Sequence, residues 1–436
     1  MRYTVNKLPP SIFIILLVLL VLPPVQAMDP IWTYSTQGNK IWGVTVSSDG
    51  SAIAVGAEKV LLFSRNGTLL AKEPYGEQVL FTPNGVYLIS SYGSSLYFFQ
   101  RNATKSSFQK KWDYELPGTV RSIDISDDGT IIAAAVEAGG TYVFSRDGKL
   151  TGGNTNYSAV VRVSPNGQRI VGASALALYR YSSTGTGTLY DNVSMVSQPD
   201  VMEITSSGDT VVYNDDQRLL SINTLRGEGA ERWKTRATGD ITSLAMIPAG
   251  TKILVGTQNG NVDLFDDKGI RSWSYATTTG GTTGIGVKEV ALSTDGKIAA
   301  AGTFEGTVVV LDAAGKLLWS NVTKDHINHI ALSGDGSLVI ATGEETVYTF
   351  SSSAQPLPVV RSPQVTASPV QQKNATAIPA TTAPQKTAEM SRSATQAITS
   401  VPTTYSVIRT ATQGPVSAII PLLGILSAVF VLLKRR

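Results

Sequence analysis

The sequence predicts an all-β fold, a β-propeller of eight four-stranded blades, and three observations carry that expectation. One phrase recurs eight times: an apolar strand, a Ser-x-Asp-Gly turn or a variant of it, then a strand of small residues. "VTVSSDGSAIAVG" and "VALSTDGKIAAAG" are two of the copies. The turn glycines, Gly50, Gly85, Gly129, Gly167, Gly208, Gly250, Gly296 and Gly336, lie about forty residues apart, a period that marks a repeat architecture. A lone Trp-led strand, Ile31-Trp32-Thr33-Tyr34, stands ahead of the first copy, and none follows the last at Phe350.

Each unit reads as four strands. Asn-Gly and Asp-Gly supply the positive φ that tight hairpin turns need. The second strand often ends in glycine (Gly56, Gly256, Gly302, Gly343), which lets neighbouring sheets approach. A third strand follows, as in "EKVLLFSRNG" and "EGTVVVLDAAG". Several units close with a Trp strand, at Trp112, Trp233, Trp273 and Trp319. The isolated strand at Trp32 is expected to complete the last blade and so remove the final free edge. Seven blades is the alternative, because the first spacing is short and the units around Gly85 and Gly208 fit the phrase least well.

Composition removes several function classes. The 436 residues include no cysteine and two histidines, His326 and His329, so disulfides and thiolate metal sites are excluded and most histidine catalysis with them. The formal charge of +3 is misleading, since residues 28–360 carry about −6. A mildly acidic body lacks the clustered basic residues of a nucleic-acid footprint.

The ends suggest a compartment. Residues 1–27 have a basic n-region (Arg2, Lys7), an apolar run Ile12 to Leu22, and small residues before Ala27; they read as a signal peptide cleaved after Ala27, with an uncleaved anchor as the alternative. The propeller is assigned to 28–351. Residues 352–414, rich in Thr, Ser, Pro, Ala and Gln, cannot bury enough apolar surface to fold and read as a stalk, O-glycosylated or bare. Residues 415–433 read as one transmembrane helix, because Val416 to Leu433 carry no charge. The tail 434–436, Lys-Arg-Arg, marks the cytoplasmic side. The expected arrangement is a single-pass type I protein with a monomeric, extracellular propeller.

The run from "VDLFDDKGIRSWSY" through "VALSTDGKIAAAG" to "GTVVVLDAAGKLLW" resembles the WD-repeat-like and pyrroloquinoline-quinone-type (PQQ-type) β-propellers. More narrowly, it resembles the secreted, membrane-anchored propeller proteins of methanogenic archaea. The resemblance covers about residues 31–350 and implies the fold. It departs from strict WD repeats, whose Gly-His and Trp-Asp dipeptides are missing from the expected places.

No residue set declares chemistry. A PQQ-type dehydrogenase implies a quinone site, calcium and a catalytic Asp, often beside a disulfide; no matching Asp motif stands out and the disulfide is impossible. The sialidase Asp box fails because glycine follows Asp directly and the Trp is absent. His326 and His329 read as turn and strand residues, not ligands. The acids of "NDDQR" (Asn214 to Arg218) and "FDDKG" (Phe265 to Gly269) read as solvated turns. The Gly-rich "TTTGGTTGIGVK" (Thr277 to Lys288) lacks a P-loop ending and reads as a rim loop. No catalytic, cofactor or metal site is therefore assigned. Six glycosylation sequons occur, at Asn66, Asn102, Asn156, Asn192, Asn321 and Asn374. The expected function is a cell-surface binding or structural propeller displayed on a stalk, engaging a surface protein or glycan and no nucleic acid. The alternatives are an extracellular enzyme, either a PQQ-type oxidoreductase or one acting on polysaccharide, and an envelope assembly scaffold.

Overall fold

A computed structural model describes residues 28–353 except 103–106, 138, 155–157, 175–176, 182–186, 190–196, 225–229 and 278–285. These residues belong to the first of two compact units, Met1–Gln364. The predicted signal peptide, nearly all of the stalk and the membrane span lie outside the described residues.

Thirty-two strands form eight antiparallel four-stranded sheets, and the described residues include no helix. Blades 1 to 7 are built from consecutive strands over residues 43–74, 78–115, 120–154, 160–189, 202–236, 241–276 and 287–322. Blade 8 combines three late strands, His329–Leu332, Leu338–Thr342 and Thr346–Ser351, with the first strand of the chain, Trp32–Ser35. That first strand pairs with the last in the register Trp32↔Thr349 to Ser35↔Thr346. The ring therefore closes by non-covalent pairing of its two ends, and the count is eight, not seven.

The repeated phrase forms the turn from the innermost strand to the second, on one face of the disc that we call the turn face. All eight turn glycines have positive φ, from +64° at Gly296 to +73° at Gly208 and Gly250, a region costly for residues with a Cβ. The residues around each glycine form a compact hydrogen-bonded unit. In blade 1 the buried Ser47 hydroxyl donates to Asp49 Oδ1 at 2.7 Å and accepts from the Ala52 amide at 3.0 Å. Asp49 Oδ1 also accepts from the Ser51 amide at 2.9 Å. The same three bonds recur around Thr82, Ser126, Ser164, Ser293 and Ser333. Asp295 is held at about 2, through hydrogen bonds from Lys297 and Ser293. Blade 6 has Ile247 in the serine position and buries it as an apolar residue.

Neighbouring blades are joined in two ways. The first is apolar: eight clusters of buried residues each draw on two adjacent blades, one cluster per junction. The second is an indole latch. In four cases the Trp of an outermost strand lies on the turn between the third and fourth strands of the next blade, and in the fifth Trp319 lies at the end of the third strand of blade 8. In each the Nε1–H donates to a carbonyl there: Trp32 to Arg65, Trp112 to Arg146, Trp233 to Asp267, Trp273 to Ala313 and Trp319 to Ser352, at 2.7–3.1 Å. In the first four cases a glycine two residues past that carbonyl lies under the ring. A Cβ on Gly67, Gly148, Gly269 or Gly315 would sit 2.6–2.8 Å from the indole. A sixth tryptophan, Trp42, is exposed at the surface. The glycines that end second strands also serve close approach: a Cβ at Gly256 would meet Val287 of the next blade at 2.6 Å.

The blades are unequal, though not where the phrase fits least well. Units 2 and 5, around Gly85 and Gly208, form complete turns. Blade 4 has the shortest strands, Val160–Val163, Ile170–Ala173, Leu178–Tyr181 and Gly187–Leu189. A second difference concerns "NDDQR". Asn214 and Asp215 are buried, not solvated. Asp215 Oδ1 accepts from the Ser197 amide at 2.8 Å and its carboxylate pairs with Arg218, while Asn214 Oδ1 accepts from the amides of Asp200 and Val201. "FDDKG" is the exposed turn expected of it, Asp266 Oδ1 accepting from Lys268 and Ile270.

Removing one latch separates its parts. Trp273→Phe loses the hydrogen bond to Ala313 and is expected to cost about 1 kcal/mol. Gly315→Ala adds a Cβ against Trp273 at φ +77° and is expected to cost about 1–3 kcal/mol. Trp42→Phe serves as the neutral control in thermal unfolding.

Candidate functional site: the channel and the loop face

The innermost strands of all eight blades surround a channel of about 540 Å³. Residues five before each turn glycine occupy equivalent positions on these strands: Thr45, Leu80, Asp124, Arg162, Glu203, Ala245, Ala291 and Ala331. Three consecutive blades thus place Asp124, Arg162 and Glu203 side by side in the channel wall. Arg162 pairs with Glu203 at 3.5 Å and donates to its neighbour's carbonyl, Val161 O, at 3.0 Å. Asp124 is committed at both oxygens: Oδ2 accepts from the Val163 amide of the next blade at 2.6 Å and Oδ1 from Ile125 at 2.9 Å.

Desolvation between blades pushes Asp124 up to about 6, against the opposing pull of Arg162 and the two amide hydrogen bonds, with Asp127 adding to the rise. Burial likewise raises Glu203 to about 6; Arg162 opposes the rise and the Asp124 charge adds to it. Arg162 itself is raised: the two carboxylates outweigh its own desolvation.

Two further channel residues form a separate pair. His329 Nδ1 lies 3.3 Å from Glu289 Oε2, which also accepts from the Ile330 amide at 2.9 Å. The reading of His329 as a plain strand residue is thereby sharpened, since it faces the channel opposite a carboxylate. His326 lies instead in the connection before blade 8, stacked on Phe304 at 4.3 Å between ring centres. Among the described residues no three His, Asp or Glu side chains converge as a metal site. The carboxylates and Arg162 were missed in the sequence because each lies in a different unit; aligning the units on their turn glycines brings them to one level.

The opposite face of the disc, the loop face, carries the connections between second and third strands and between blades. The four exposed aromatic side chains among the described residues, Trp42, Tyr75, Tyr92 and Phe304, all lie there. They belong to blades 7, 1 and 2, which lie on one arc of the ring. Trp42 also lines the channel mouth, beneath Lys40 Nζ at 4.2 Å. Tyr75, in the connection from blade 1 to blade 2, holds φ +63° and stacks against Tyr92 and Tyr97 at 5.4 and 5.8 Å. Positive φ is rare for a bulky residue and is retained where the surroundings enforce it.

The sequon asparagines differ. Asn66 is exposed in a turn of blade 1, its Oδ1 accepting from the Thr68 hydroxyl at 3.0 Å. Asn102 directly follows the third strand of blade 2, Ser95–Arg101, and its backbone amide donates to Ser107 O at 2.7 Å. The Asn321 amide donates to Met28 O at 2.7 Å. Asn156, Asn192 and Asn374 lie outside the described residues, as does the Ala27 cleavage position.

An eight-bladed propeller with an apolar junction and an indole latch between units is the class of protein this geometry defines. Residues 158–398 match the family PQQ_2, described as "Outer membrane protein assembly factor BamB". The match spans more than half of the chain, which therefore belongs to that family. No curated protein matches the sequence. Solved structures show the same architecture at low identity. Chaetomium thermophilum Sqt1, bound to the N-terminus of ribosomal protein L10, is 14% identical with a TM-score of 0.64, covering 74% of this chain and all of Sqt1. The C-terminal WD40 domain of Sif2 is 16% identical with a TM-score of 0.63, covering 75% and 99%. Saccharomyces cerevisiae Sqt1 is 12% identical with a TM-score of 0.62, covering 75% and 99%.

The channel assignments are open to carboxylate-selective NMR titration. Asp124 and Glu203 should titrate near pH 6, and Arg162→Met should move both higher, since the guanidinium is what opposes their rise.

Proposed function

We propose that this chain is a protein-binding propeller carried outside the cell on a stalk, and that its partner docks on the loop face over blades 7, 8, 1 and 2. The observation that supports this reading most is the grouping of all four exposed aromatic side chains on one face and one arc. Scattered apolar residues are normal on a surface, whereas grouped aromatic side chains are the usual anchors of interfaces. Trp42, flanked by Lys40, and Phe304, between His326 and Lys288 at 5.9 Å, combine an apolar face with cationic neighbours. Sqt1, a propeller of similar architecture, is seen bound to the N-terminus of a ribosomal protein, so a ring of this shape is able to hold a peptide. The reading includes a signal peptide ending at Ala27, a stalk over 352–414, a membrane anchor over 415–433 and glycans on exposed sequons, Asn66 foremost.

An enzyme acting on polysaccharide would draw on Asp124 and Glu203, whose raised carboxyl groups suit proton transfer. Both oxygens of Asp124 are taken by backbone amides, however, and Glu203 is paired with Arg162. Those bonds favour a structural role for the pair.

The docking face is tested by capture from envelope extracts with the full chain, followed by cross-linking. Trp42→Ala with Phe304→Ala should reduce partner recovery about tenfold or more, while Ile270→Ala on the turn face should leave it unchanged. Equal recovery by all variants contradicts the reading. N-terminal sequencing of the exported chain should begin at Met28.

A further inference from the structure

The ring is not held uniformly. Five junctions carry an indole latch; the junctions from blade 1 to 2, blade 3 to 4 and blade 4 to 5 have no tryptophan to supply one. The first of these is filled by phenylalanine, with Phe81, Phe99 and Phe108 buried together. The other two have neither Phe nor Trp. The core between blades 3 and 4 consists of Ala133, Ala135, four β-branched residues and Tyr181; the core between 4 and 5 is aliphatic except for Tyr213. Blade 4, between them, has the shortest strands. On the inner side of these same two junctions stand Asp124, Arg162 and Glu203.

We propose that Asp124, Arg162 and Glu203 form an ionic clasp that joins blades 3, 4 and 5 where the outer latch is missing and the junction cores hold neither Phe nor Trp, so that this sector is the place where the ring opens. Asp124 ties blade 3 to blade 4 through the Val163 amide, and Arg162 ties blade 4 to blade 5 through Glu203. With both carboxylates ionised the cluster carries one uncompensated negative charge in a narrow channel. One proton removes it and leaves an ion pair. The folded carboxyl groups hold protons more tightly than the unfolded ones, whose ordinary values are 3.8 and 4.5. The stabilisation by proton binding is therefore fully present below about pH 4 and lost as pH rises through about 6.

The surrounding charges do not mask this response. Asp127, on the turn of blade 3, adds to the rise of Asp124. Arg121, on the same inner strand, pairs with Glu137 at 2.6 Å, and Asp215 of blade 5 pairs with Arg218. Glu289 and His329, in blades 7 and 8, pair with each other. The inner strands of blades 2 and 6, Gln78–Phe81 and Ile241–Met246, bring no charge. Against desolvation, the turn carboxylates Asp49, Asp128, Asp295 and Asp335 are lowered by their hydrogen bonds and act in the opposite sense, Asp295 only as pH falls through about 2.

The test is hydrogen exchange of the full chain at about pH 5 and about pH 7.5, each corrected for the intrinsic exchange rate. Amides of Val160–Val163 and Met202–Ile204 should lose about tenfold or more in protection between the two, the equivalent of one pK unit. Those of Ile241–Met246 in blade 6, whose inner strand brings no charge, should keep theirs. The isosteric variant Asp124→Asn, which removes the uncompensated charge, keeps one acceptor for the Val163 and Ile125 amides and leaves the Arg162–Glu203 ion pair in place, should give blade 4 its low-pH protection at both values. The clasp is refuted if blades 4 and 6 respond alike, or if Asp124→Asn retains the wild-type pH response.

Discussion

The contact that sets the spacing of blades at five of the eight junctions is the indole latch, a tryptophan at the outer edge of one blade lying, in four of the five, on a glycine turn of the next. It solves a geometric problem. A blade is a twisted sheet whose two faces must both be covered, and the next blade can cover one only if their outer edges meet without a gap. A flat ring over a glycine allows approach to within the thickness of the ring, and the Nε1–H satisfies a turn carbonyl that would otherwise face it unpaired. Trp32, Trp112, Trp233 and Trp273 each repeat this arrangement, and Trp319 makes the same hydrogen bond, to Ser352, without the glycine. The latch from Trp32 carries a further duty, because its strand comes from the other end of the sequence.

Seen from the axis, the blades divide the work. Outer strands hold the ring together through aromatic contacts, and the second and third strands fill the junction cores with Val, Ile, Leu and Ala. Of the residues five before each turn glycine on the innermost strands, Leu80, Asp124, Arg162 and Glu203 line the channel, while Ala245 and Ala291 pack against junction cores. Those positions are free to vary, and they hold a threonine, a leucine, three alanines and the charged set Asp124, Arg162 and Glu203. The loop face varies in the same way, since its connections are not bound by the turn geometry that constrains the other face. Trp42, Tyr75, Tyr92 and Phe304 accordingly sit where the repeat imposes least.

How much of this could be read from the chain follows from the same division. The turn glycines and the Ser-x-Asp-Gly phrase are local chemistry repeated eight times, so blade number and strand order were legible, and the lone strand at Trp32 announced the closure of blade 8. The partners of the tryptophans were not legible, because each ring lies on a turn thirty to forty residues away. Asp124, Arg162 and Glu203 were hidden for a related reason: each looks like an ordinary strand charge within its own unit, and only the ring brings three units to one level. "NDDQR" misled because a pair of acids next to a turn usually faces water, whereas here Asp215 is drawn inward to bind Ser197 and Arg218. Units 2 and 5 depart from the phrase yet keep the glycine, whose backbone conformation is what the turn requires.

The central claim, a ring closed by its own first strand, is open to a direct measurement, because the natural chain has no cysteine to interfere. Ser35 and Thr346 stand opposite each other across the closing pair, so Ser35→Cys with Thr346→Cys places two thiols within bridging range. Mild oxidation followed by mass spectrometry should give an intramolecular disulfide between these positions in nearly every molecule. Thiols that remain free, or that link only one molecule to another, contradict the closure and with it the eighth blade.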